Sequence, residues 1–261
     1  MTPILLLGAG RMGGALIAGW RRAGAISDGD LMIRDPAPGP DVADSGARLN
    51  PGPADMARAR TVVLAVKPQV WREAAAQAAP HLAPDAIIVS IAAGVSAADI
   101  ATAFGGRRVA RVMPTTAAAI GRGTASVFSS DADARARARA LFEPVGVVVD
   151  LDDEDLLLAA TAISGSAPAY LYAFVEALEA AGVALGLSPA AARDLARATT
   201  AGAAALMTET GADAAELRRQ VTSPAGTTAA ALTVLMGEGG LGPLLKDAAA
   251  AAAERSRELG K

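Results

Sequence analysis

Residues 221–228 have the composition of a loop that leads into a helix and could hold a small anion. Ser223 and Pro224 are a pair typical of a helix start, and Gly226 allows a ligand to approach the backbone closely. Thr227 and Thr228 would place two hydroxyls on the first turn of the apolar helix that follows. A helix N-terminus offers unpaired N–H groups and partial positive charge, so the segment could bind a carboxylate. A capped helix start with no ligand is the alternative interpretation.

A glycine-rich pattern near the N-terminus predicts dinucleotide binding. Gly8, Gly10 and Gly13 form G-x-G-x-x-G directly after a short apolar run, and Arg11 and Met12 lie inside the pattern. The first glycine permits a tight turn, the second lets the backbone meet a pyrophosphate, and the third packs the following helix on the sheet. Because the pattern stands between a predicted strand and a predicted helix, we interpret it as a cofactor loop.

The end of the second predicted strand leaves the identity of that cofactor open. Asp35 could accept hydrogen bonds from the adenosine ribose of NADH, whereas the neighbouring Arg34 could pair with the 2′-phosphate of NADPH.

Two other loops are expected at the same edge of the sheet, where ligands gather in folds of this kind. Their residues are Val66, Lys67 and Pro68 after one strand and Met113, Pro114 and Thr115 after another. We expect them to help hold the cofactor, but a solvated loop lysine and a simple X-Pro turn are competing interpretations.

Composition excludes several classes of function. The chain has no cysteine and a single histidine, His81, which rules out thiol catalysis and makes a histidine metal cluster or a Ser-His-Asp triad a poor hypothesis. The formal net charge of -3 provides no basic surface for nucleic acid or acidic membranes. No targeting segment or membrane span precedes the first strand, which favours a cytoplasmic protein. Much of the 52% hydrophobic content is alanine, and wide alanine faces on helices favour oligomers.

The predicted elements divide the chain into two halves of different class. Strands are predicted at residues 4–7, 31–34, 61–66, 86–91, 109–113, 124–129 and 145–150, with helices at 11–23, 70–79, 97–104 and 132–142 between them. Only helices follow, at residues 154–163, 168–185, 189–207, 214–221, 227–236 and 243–259, with a break at Ser164 and Gly165. The fold class is therefore α/β. A Rossmann-type, doubly wound parallel sheet is expected over residues 1–151 and an all-helical domain over 152–261.

Together these segments resemble pyrroline-5-carboxylate reductase over essentially the whole chain. The resemblance is carried by residues 8–13, 66–69, 90–95, 111–114, 164–170 and 217–228, of which the last stretch is the most specific. It implies hydride transfer to the C5 carbon of a cyclic imine, giving proline, with NADPH as the donor and NADH as the alternative. It also implies that the helical domain binds substrate and forms a homodimer, or a larger ring of dimers, with the site at the dimer interface.

The resemblance further implies roles for individual residues. The backbone N–H groups of residues 226–228 would bind the substrate carboxylate, Thr228 Oγ1 would hydrogen-bond the ring nitrogen, and Ser223 would assist. Three small residues would close the other side of the substrate, namely Ser164, Gly165 and Ser166.

The chain departs from the family pattern at Thr115 and Ala117, at Ala225, and at Gln220, where several members carry Asn. Thr115 and Ala117 stand where an Asn and a Pro are usual after Met-Pro, so the cofactor contact of that Asn is replaced, in part, by a hydroxyl. Ala225 stands where the family commonly has the first of two glycines. The methyl group of an alanine should be tolerated there only if the φ of this residue is negative.

Two other classes of function compete with this interpretation. A related imine reductase or hydroxyacid dehydrogenase would share the architecture, but hydroxyacid enzymes rely on a lysine in the helical domain and residues 168–185 contain none. A non-catalytic nucleotide-sensing protein would not need the substrate loop at residues 223–228.

Overall fold

The computed structural model describes residues 1–43 and 45–259, which form two compact units. One unit contains Met1–Gly165 and the segment from Ala252 onward, and the other contains Ser166–Ala251. The functional boundary expected near residue 151 from the sequence stays a prediction.

The first unit is built on one eight-stranded sheet in the order β3-β2-β1-β4-β5-β6-β7-β8. The strands are β1 (Ile4–Leu7), β2 (Leu31–Arg34), β3 (Arg48–Leu49), β4 (Thr61–Leu64), β5 (Ile87–Ser90), β6 (Val109–Pro114), β7 (Gly123–Phe128) and β8 (Gly146–Asp150). Seven of them were predicted. The eighth, β3, has only two residues, too few to show a periodic pattern.

The sheet is mostly parallel, as predicted, with one reversal. Strands β1 to β6 pair in parallel, β7 runs antiparallel to β6, and β8 runs parallel to β7. Residues 115–122 connect β6 to β7 and are too few for a parallel crossover, which needs about a dozen residues or more. The chain therefore turns back, and the expectation of a wholly parallel sheet was wrong at this pair.

Helices cover both faces of the sheet. They are α1 (Arg11–Ala23), α2 (Pro40–Ala43), α3 (Pro53–Met56), α4 (Trp71–Ala78), α5 (Ala97–Ala103) and α6 (Ala132–Phe142). Successive residues of β1 point to opposite faces, so Ile4 joins a core cluster with Trp20 of α1, whereas Leu5 joins a second cluster with Trp71 of α4. Burial on both sides explains why the central strands are continuous apolar runs.

The rest of the chain is helical. Its elements are α7 (Leu156–Ala160), a π-helical turn (Thr161–Gly165), α8 (Ala167–Ala184), α9 (Pro189–Thr210), α10 (Ala214–Gln220), α11 (Thr227–Leu235) and α12 (Leu241–Leu259). The positions predicted for the helices are confirmed, but the break predicted at Ser164 and Gly165 was wrong because both residues lie in the π-helical turn. Within the second unit α8 packs closely on α9, where a Cβ on Gly182 would lie 3.1 Å from the Cβ of Ala192.

Candidate functional site

The glycine-rich loop turns sharply between β1 and α1. Gly8 has φ +92°, and a Cβ there would lie 2.8 Å from Val66 Cγ1, so only glycine fits. A Cβ on Gly13 would lie 2.4 Å from the carbonyl oxygen of Gly8, which makes the third glycine a packing requirement between helix and loop. Both observations match the roles predicted for the first and third glycines.

Gly10 differs, because no heavy atom lies within 4 Å of the Cβ it would carry. Nothing in the fold of the chain itself demands glycine here, so the open space is what a ligand close to the backbone would use. Gly10 also stands at the N-cap of α1 without a side-chain cap, and the first turn of α1 has no acidic residue. Its free N–H groups and positive helix end suit a pyrophosphate. Arg11 is exposed beside it and Met12 is half-buried.

A cavity of about 570 Å³ lies beside this loop at the carboxyl ends of β1, β2 and β4. Its wall includes Leu7, Arg34, Pro36, Asn50 and Glu73. Strands β2 and β4 flank β1 on opposite sides, so the chain order reverses here, and open α/β sheets bind ligands at this kind of point. The volume is in the range of small-molecule sites, and the wall combines apolar and polar side chains.

The two residues proposed to contact the adenosine ribose make different hydrogen bonds. Asp35 Oδ2 accepts from the backbone N–H of Ala9 at 2.6 Å, and Oδ1 accepts from Ala37 N–H at 2.8 Å. The guanidinium of Arg34 donates instead to Gln77 Oε1 at 3.0 Å, on the α4 side of the cavity. The carboxylate is thus fixed on the glycine-rich loop, whereas the guanidinium is held on a helix.

The other predicted cofactor residues divide into exposed and buried groups. Val66 and Pro68 are half-buried after β4, and Lys67 is exposed. Met113 and Pro114 end β6, with Met113 only 6% exposed.

Thr115, which stands where the family usually has Asn, serves the fold. It is 7% exposed, and its Oγ1 accepts from Thr124 N–H at 3.0 Å at the start of β7. The threonine hydroxyl therefore supports the β6–β7 reversal, whatever contact it also makes with a cofactor.

The loop at residues 221–228 forms a tight turn before α11. The N–H of Gly226 donates to Ser223 O at 3.1 Å, which makes Ser223, Pro224, Ala225 and Gly226 a β-turn with proline at its second position. The predicted start of the helix at residue 227 is confirmed, because α11 begins at Thr227, but its N-cap is Gly226 and not Ser223, which lies in the preceding turn.

Ala225 has φ +56°, in the left-handed region. The expectation that an alanine at this residue requires a negative φ was therefore wrong. The third position of a turn with proline at the second position requires a positive φ when the turn is of type II, and the hydrogen bond at Gly226 holds the alanine there. A Cβ on Gly226 would lie 2.3 Å from Ser223 Oγ and 3.1 Å from Ser223 O, so glycine at this residue leaves room for the serine side chain inside the turn.

The start of α11 has the properties predicted for an anion site. No side chain caps it, and its first turn has no acidic residue. Thr227 is exposed and Thr228 is half-buried, so both hydroxyls stand on the first turn beside free backbone N–H groups.

Ser164, Gly165 and Ser166 lie where α7 passes into α8. Ser164 Oγ donates to Ala160 O at 2.7 Å, a bond along its own helix, and Gly165 is exposed. Ser166 is half-buried at the N-cap of α8 and makes no side-chain cap there. A π-helical turn is often found at functional sites because it moves side chains out of register with a regular helix.

A buried ion pair in the first unit was not found by sequence reasoning. Arg111 of β6 is 7% exposed, and its Nη1 lies 2.8 Å from Glu154 Oε1. The same oxygen accepts from Ala97 N–H, at the first residue of α5, at 2.7 Å. The sequence does show an arginine inside an apolar strand, which indicates that the charge has a partner. That partner is 43 residues away, so the sequence pattern does not identify it.

Helices of the second unit expose large apolar side chains. Among the most exposed are Leu171, Tyr172, Leu185, Val234 and Leu244. In the described part of the chain, one stretch, Leu156–Ala184, is long and apolar enough to span a membrane by length and composition alone. Apolar faces of this extent mark an interaction surface, and a partner subunit satisfies them as well as lipid does.

Family models match both halves of the chain. The model of the pyrroline-5-carboxylate reductase dimerisation domain matches residues 154–259, and the model of coenzyme F420-dependent NADP oxidoreductases matches residues 3–94.

Relatives match the chain over its full length. A pyrroline-5-carboxylate reductase of Pseudomonas aeruginosa is 38% identical over 275 residues, covering 99% of this chain and 97% of the relative. Among solved structures, a pyrroline-5-carboxylate reductase from Coxiella burnetii has a TM-score of 0.91 at 30% identity and covers 100% of this chain and 99% of its own. A pyrroline carboxylate reductase from Plasmodium falciparum with NADP bound has a TM-score of 0.86 at 25% identity and covers 100% and 98%.

Proposed function

The chain belongs to the pyrroline-5-carboxylate reductase family, whose members are NAD(P)H-dependent oxidoreductases acting on a C=N bond, and we propose a residue-level account of how it works. The observation that carries the account is the uncapped start of α11 behind the turn at Ser223–Gly226. It offers a small carboxylate several backbone N–H groups and no competing anion.

The cofactor loop would hold the pyrophosphate at Gly8, Gly10 and Gly13 and at the start of α1. Arg11 would remain beside the phosphates as an exposed cation, and the adenosine would occupy the cavity at Arg34 and Asp35. Further contacts would come from Met12, Val66, Lys67, Pro68, Met113, Pro114 and Thr115. When bound, the reduced nicotinamide supplies the hydride.

The substrate carboxylate would be bound by the N–H groups of Thr227 and Thr228. The role expected for the Gly226 N–H needs correction, because that group already donates to Ser223 O, so Gly226 would serve by bringing the backbone close to the substrate. Thr228 Oγ1 would hydrogen-bond the ring nitrogen, and Ser223 would shape the turn. The hydride adds to C5 while the electron pair of the C=N bond moves to nitrogen, and a protonated imine already holds the proton that the product amine needs. The protein therefore needs no strong acid, which fits a site of hydroxyls and backbone amides. The protein would act by orienting the substrate toward the hydride donor and by excluding water. Ser164, Gly165 and Ser166 would close the other side of the substrate.

We propose a homodimer, or a ring of dimers, in which a second subunit covers the apolar helices. The dimerisation domain supports association. Phe174, a large aromatic residue on α8, is 42% exposed in the single chain and suits an interface core. Substrate and cofactor are small soluble molecules, so a cytoplasmic enzyme without nucleic-acid or membrane partners is the expected setting.

The first test is initial-rate oxidation of NADPH and, separately, of NADH by purified protein with pyrroline-5-carboxylate. Substrate-dependent oxidation with either cofactor supports the proposal. Nucleotide binding without turnover would contradict it and favour a different imine or a sensor.

A second test separates the roles of the two threonines. Thr228→Ala should lower kcat by about 10- to 100-fold, because it removes one hydrogen bond to the reacting ring, and should leave the nucleotide dissociation constant unchanged. Thr227→Ala is the matched control, because it removes the neighbouring hydroxyl but keeps its backbone N–H, and it should retain near-normal turnover. Equal losses in the two variants would refute the role given to Thr228.

A further inference from the structure

The charges around the adenosine cavity disfavour a 2′-phosphate. Among the described residues of the cavity wall, the charged ones are Arg34 and Glu73, and Asp35 stands in the chain between two residues of this wall, Arg34 and Pro36. Both carboxylates belong to this edge of the sheet, one in the cavity wall and one directly beside it in the chain. A phosphate monoester adds nearly two negative charges, whereas the ribose hydroxyl of NADH adds none.

The Asp35 carboxylate is held in a fixed position by backbone groups. Its two oxygens accept from Ala9 N–H at 2.6 Å and from Ala37 N–H at 2.8 Å. The N–H of Asp35 in turn donates to Asn50 Oδ1 at 3.1 Å, and Asn50 lines the cavity. A carboxylate has about four acceptor positions, so two of them remain for the hydroxyls of a ribose.

The one guanidinium is engaged elsewhere. Arg34 Nη2 donates to Gln77 Oε1 at 3.0 Å, and Gln77 Nε2 donates to Glu73 Oε1 at 3.1 Å. Arg34 Nη1 lies 3.7 Å from Met56 Sδ. This chain of contacts lays the side chain along α3 and α4. To pair with a 2′-phosphate, Arg34 would have to give up its bond to Gln77 and neutralise a dianion next to Asp35.

From this arrangement we infer that Asp35 makes the enzyme select NADH over NADPH. The inference rests on the proposed function, because it assigns the adenosine of the hydride donor to this cavity. Asp35 accepts the ribose hydroxyls in NADH and repels the phosphate of NADPH. It is therefore the specificity-determining residue of the cofactor site.

The test measures binding without turnover. Calorimetric titration with NAD⁺ and NADP⁺, and with the fragments 5′-AMP and adenosine 2′,5′-bisphosphate, gives dissociation constants that do not depend on the imine substrate. The wild-type protein should bind NAD⁺ at least about tenfold more tightly than NADP⁺, the loss expected when a charge-assisted hydrogen bond is replaced by repulsion.

Two variants examine the carboxylate, and a third provides the control. Asp35→Ser should lower the ratio of NAD⁺ to NADP⁺ affinity by about 10- to 100-fold, and Asp35→Asn, which keeps the shape and one acceptor oxygen, should lower it by a smaller factor. Asp152→Asn removes the same charge from an exposed position and should leave the ratio unchanged. Circular dichroism verifies that the variants remain folded.

The outcomes separate this inference from the proposed function. Tighter binding of NADP⁺ by the wild type would overturn the inference, as would an unchanged ratio in both folded Asp35 variants. A large loss of NADP⁺ affinity in Arg34→Ala would also overturn it, since Arg34 would then be a phosphate ligand. Preferential NAD⁺ binding without reduction of pyrroline-5-carboxylate would instead leave the inference standing and contradict the proposed function.

Discussion

Replacement of Ala225 by glycine should stabilise the protein, although most alanine-to-glycine changes destabilise. Ala225 has φ +56° inside the turn that precedes α11. In that region the Cβ of an L-residue crowds the following carbonyl oxygen, at a cost of about 1–2 kcal/mol. Glycine has no Cβ and adopts the same conformation freely.

The net effect is the relief of strain minus an entropic penalty. Glycine increases the conformational freedom of the unfolded chain, which costs about 0.4–1 kcal/mol. The difference leaves Ala225→Gly about 0.5–1 kcal/mol more stable. For a chain of this length that corresponds to a rise in Tm of about 1–4 °C.

Thermal unfolding by calorimetry measures this change. Protein concentration must be equal in all samples, because an oligomer has a concentration-dependent Tm. Ala203→Gly is the matched control, since Ala203 is exposed inside the long helix α9, and glycine should destabilise it by about 1 kcal/mol. Gly226→Ala should also lower Tm, because its Cβ would displace Ser223 Oγ, at 2.3 Å, and crowd the Ser223 carbonyl oxygen, at 3.1 Å.

The sign of the change in Tm on replacing Ala225 by glycine tests whether Ala225 has a positive φ in solution. If Ala225→Gly lowers Tm as much as Ala203→Gly does, Ala225 has an ordinary negative φ in solution and the turn differs from the one described. Ala225→Val provides a second reading, because a β-branched residue at positive φ should be less stable than alanine.

Three further predictions concern the cofactor loop, the buried ion pair and the exposed helices. Gly10→Val should fold normally but lose at least about tenfold in nucleotide affinity, whereas Gly13→Ala should be unstable; unchanged titrations for Gly10→Val would contradict the loop assignment. Glu154→Gln should lower the free energy of unfolding by about 1–3 kcal/mol. This is less than the loss of a fully buried ion pair would cost, because the Glu154 side chain is 28% exposed. A denaturant titration that matches wild type would refute a structural role for the bond between Glu154 and Arg111. Phe174→Asp should yield monomers or smaller assemblies in light scattering after gel filtration, and an unchanged mass would exclude α8 from the interface.

Much of the fold could be predicted because it depends on local patterns. The alternation of β-branched runs with helical periodicity predicts the sheet and its covering helices, and glycine, proline and N-cap residues mark where the elements end. The tight turn at Gly8 and the close packing at Gly13 could be predicted from spacing alone, since a strand, a tight turn and a helix restrict the backbone in the same way in any protein of this architecture.

Contacts between distant residues required the tertiary structure. Asp35 accepts from Ala9, which is 26 positions away, and Arg111 pairs with Glu154, which is 43 positions away. No periodicity in the sequence encodes such partners, because they depend on which strands become neighbours and on where each strand ends.

The turn before α11 shows the same division on a smaller scale. The sequence by itself predicted an anion site at residues 221–228 because proline, glycine and two threonines precede an apolar helix. Only the folded chain decided that Gly226, and not Ser223, is the N-cap of the helix and that Ala225 has a positive φ. The backbone hydrogen bond that closes the turn and the helix that follows it set this φ against the local preference of alanine, and a sequence pattern reports only the preference.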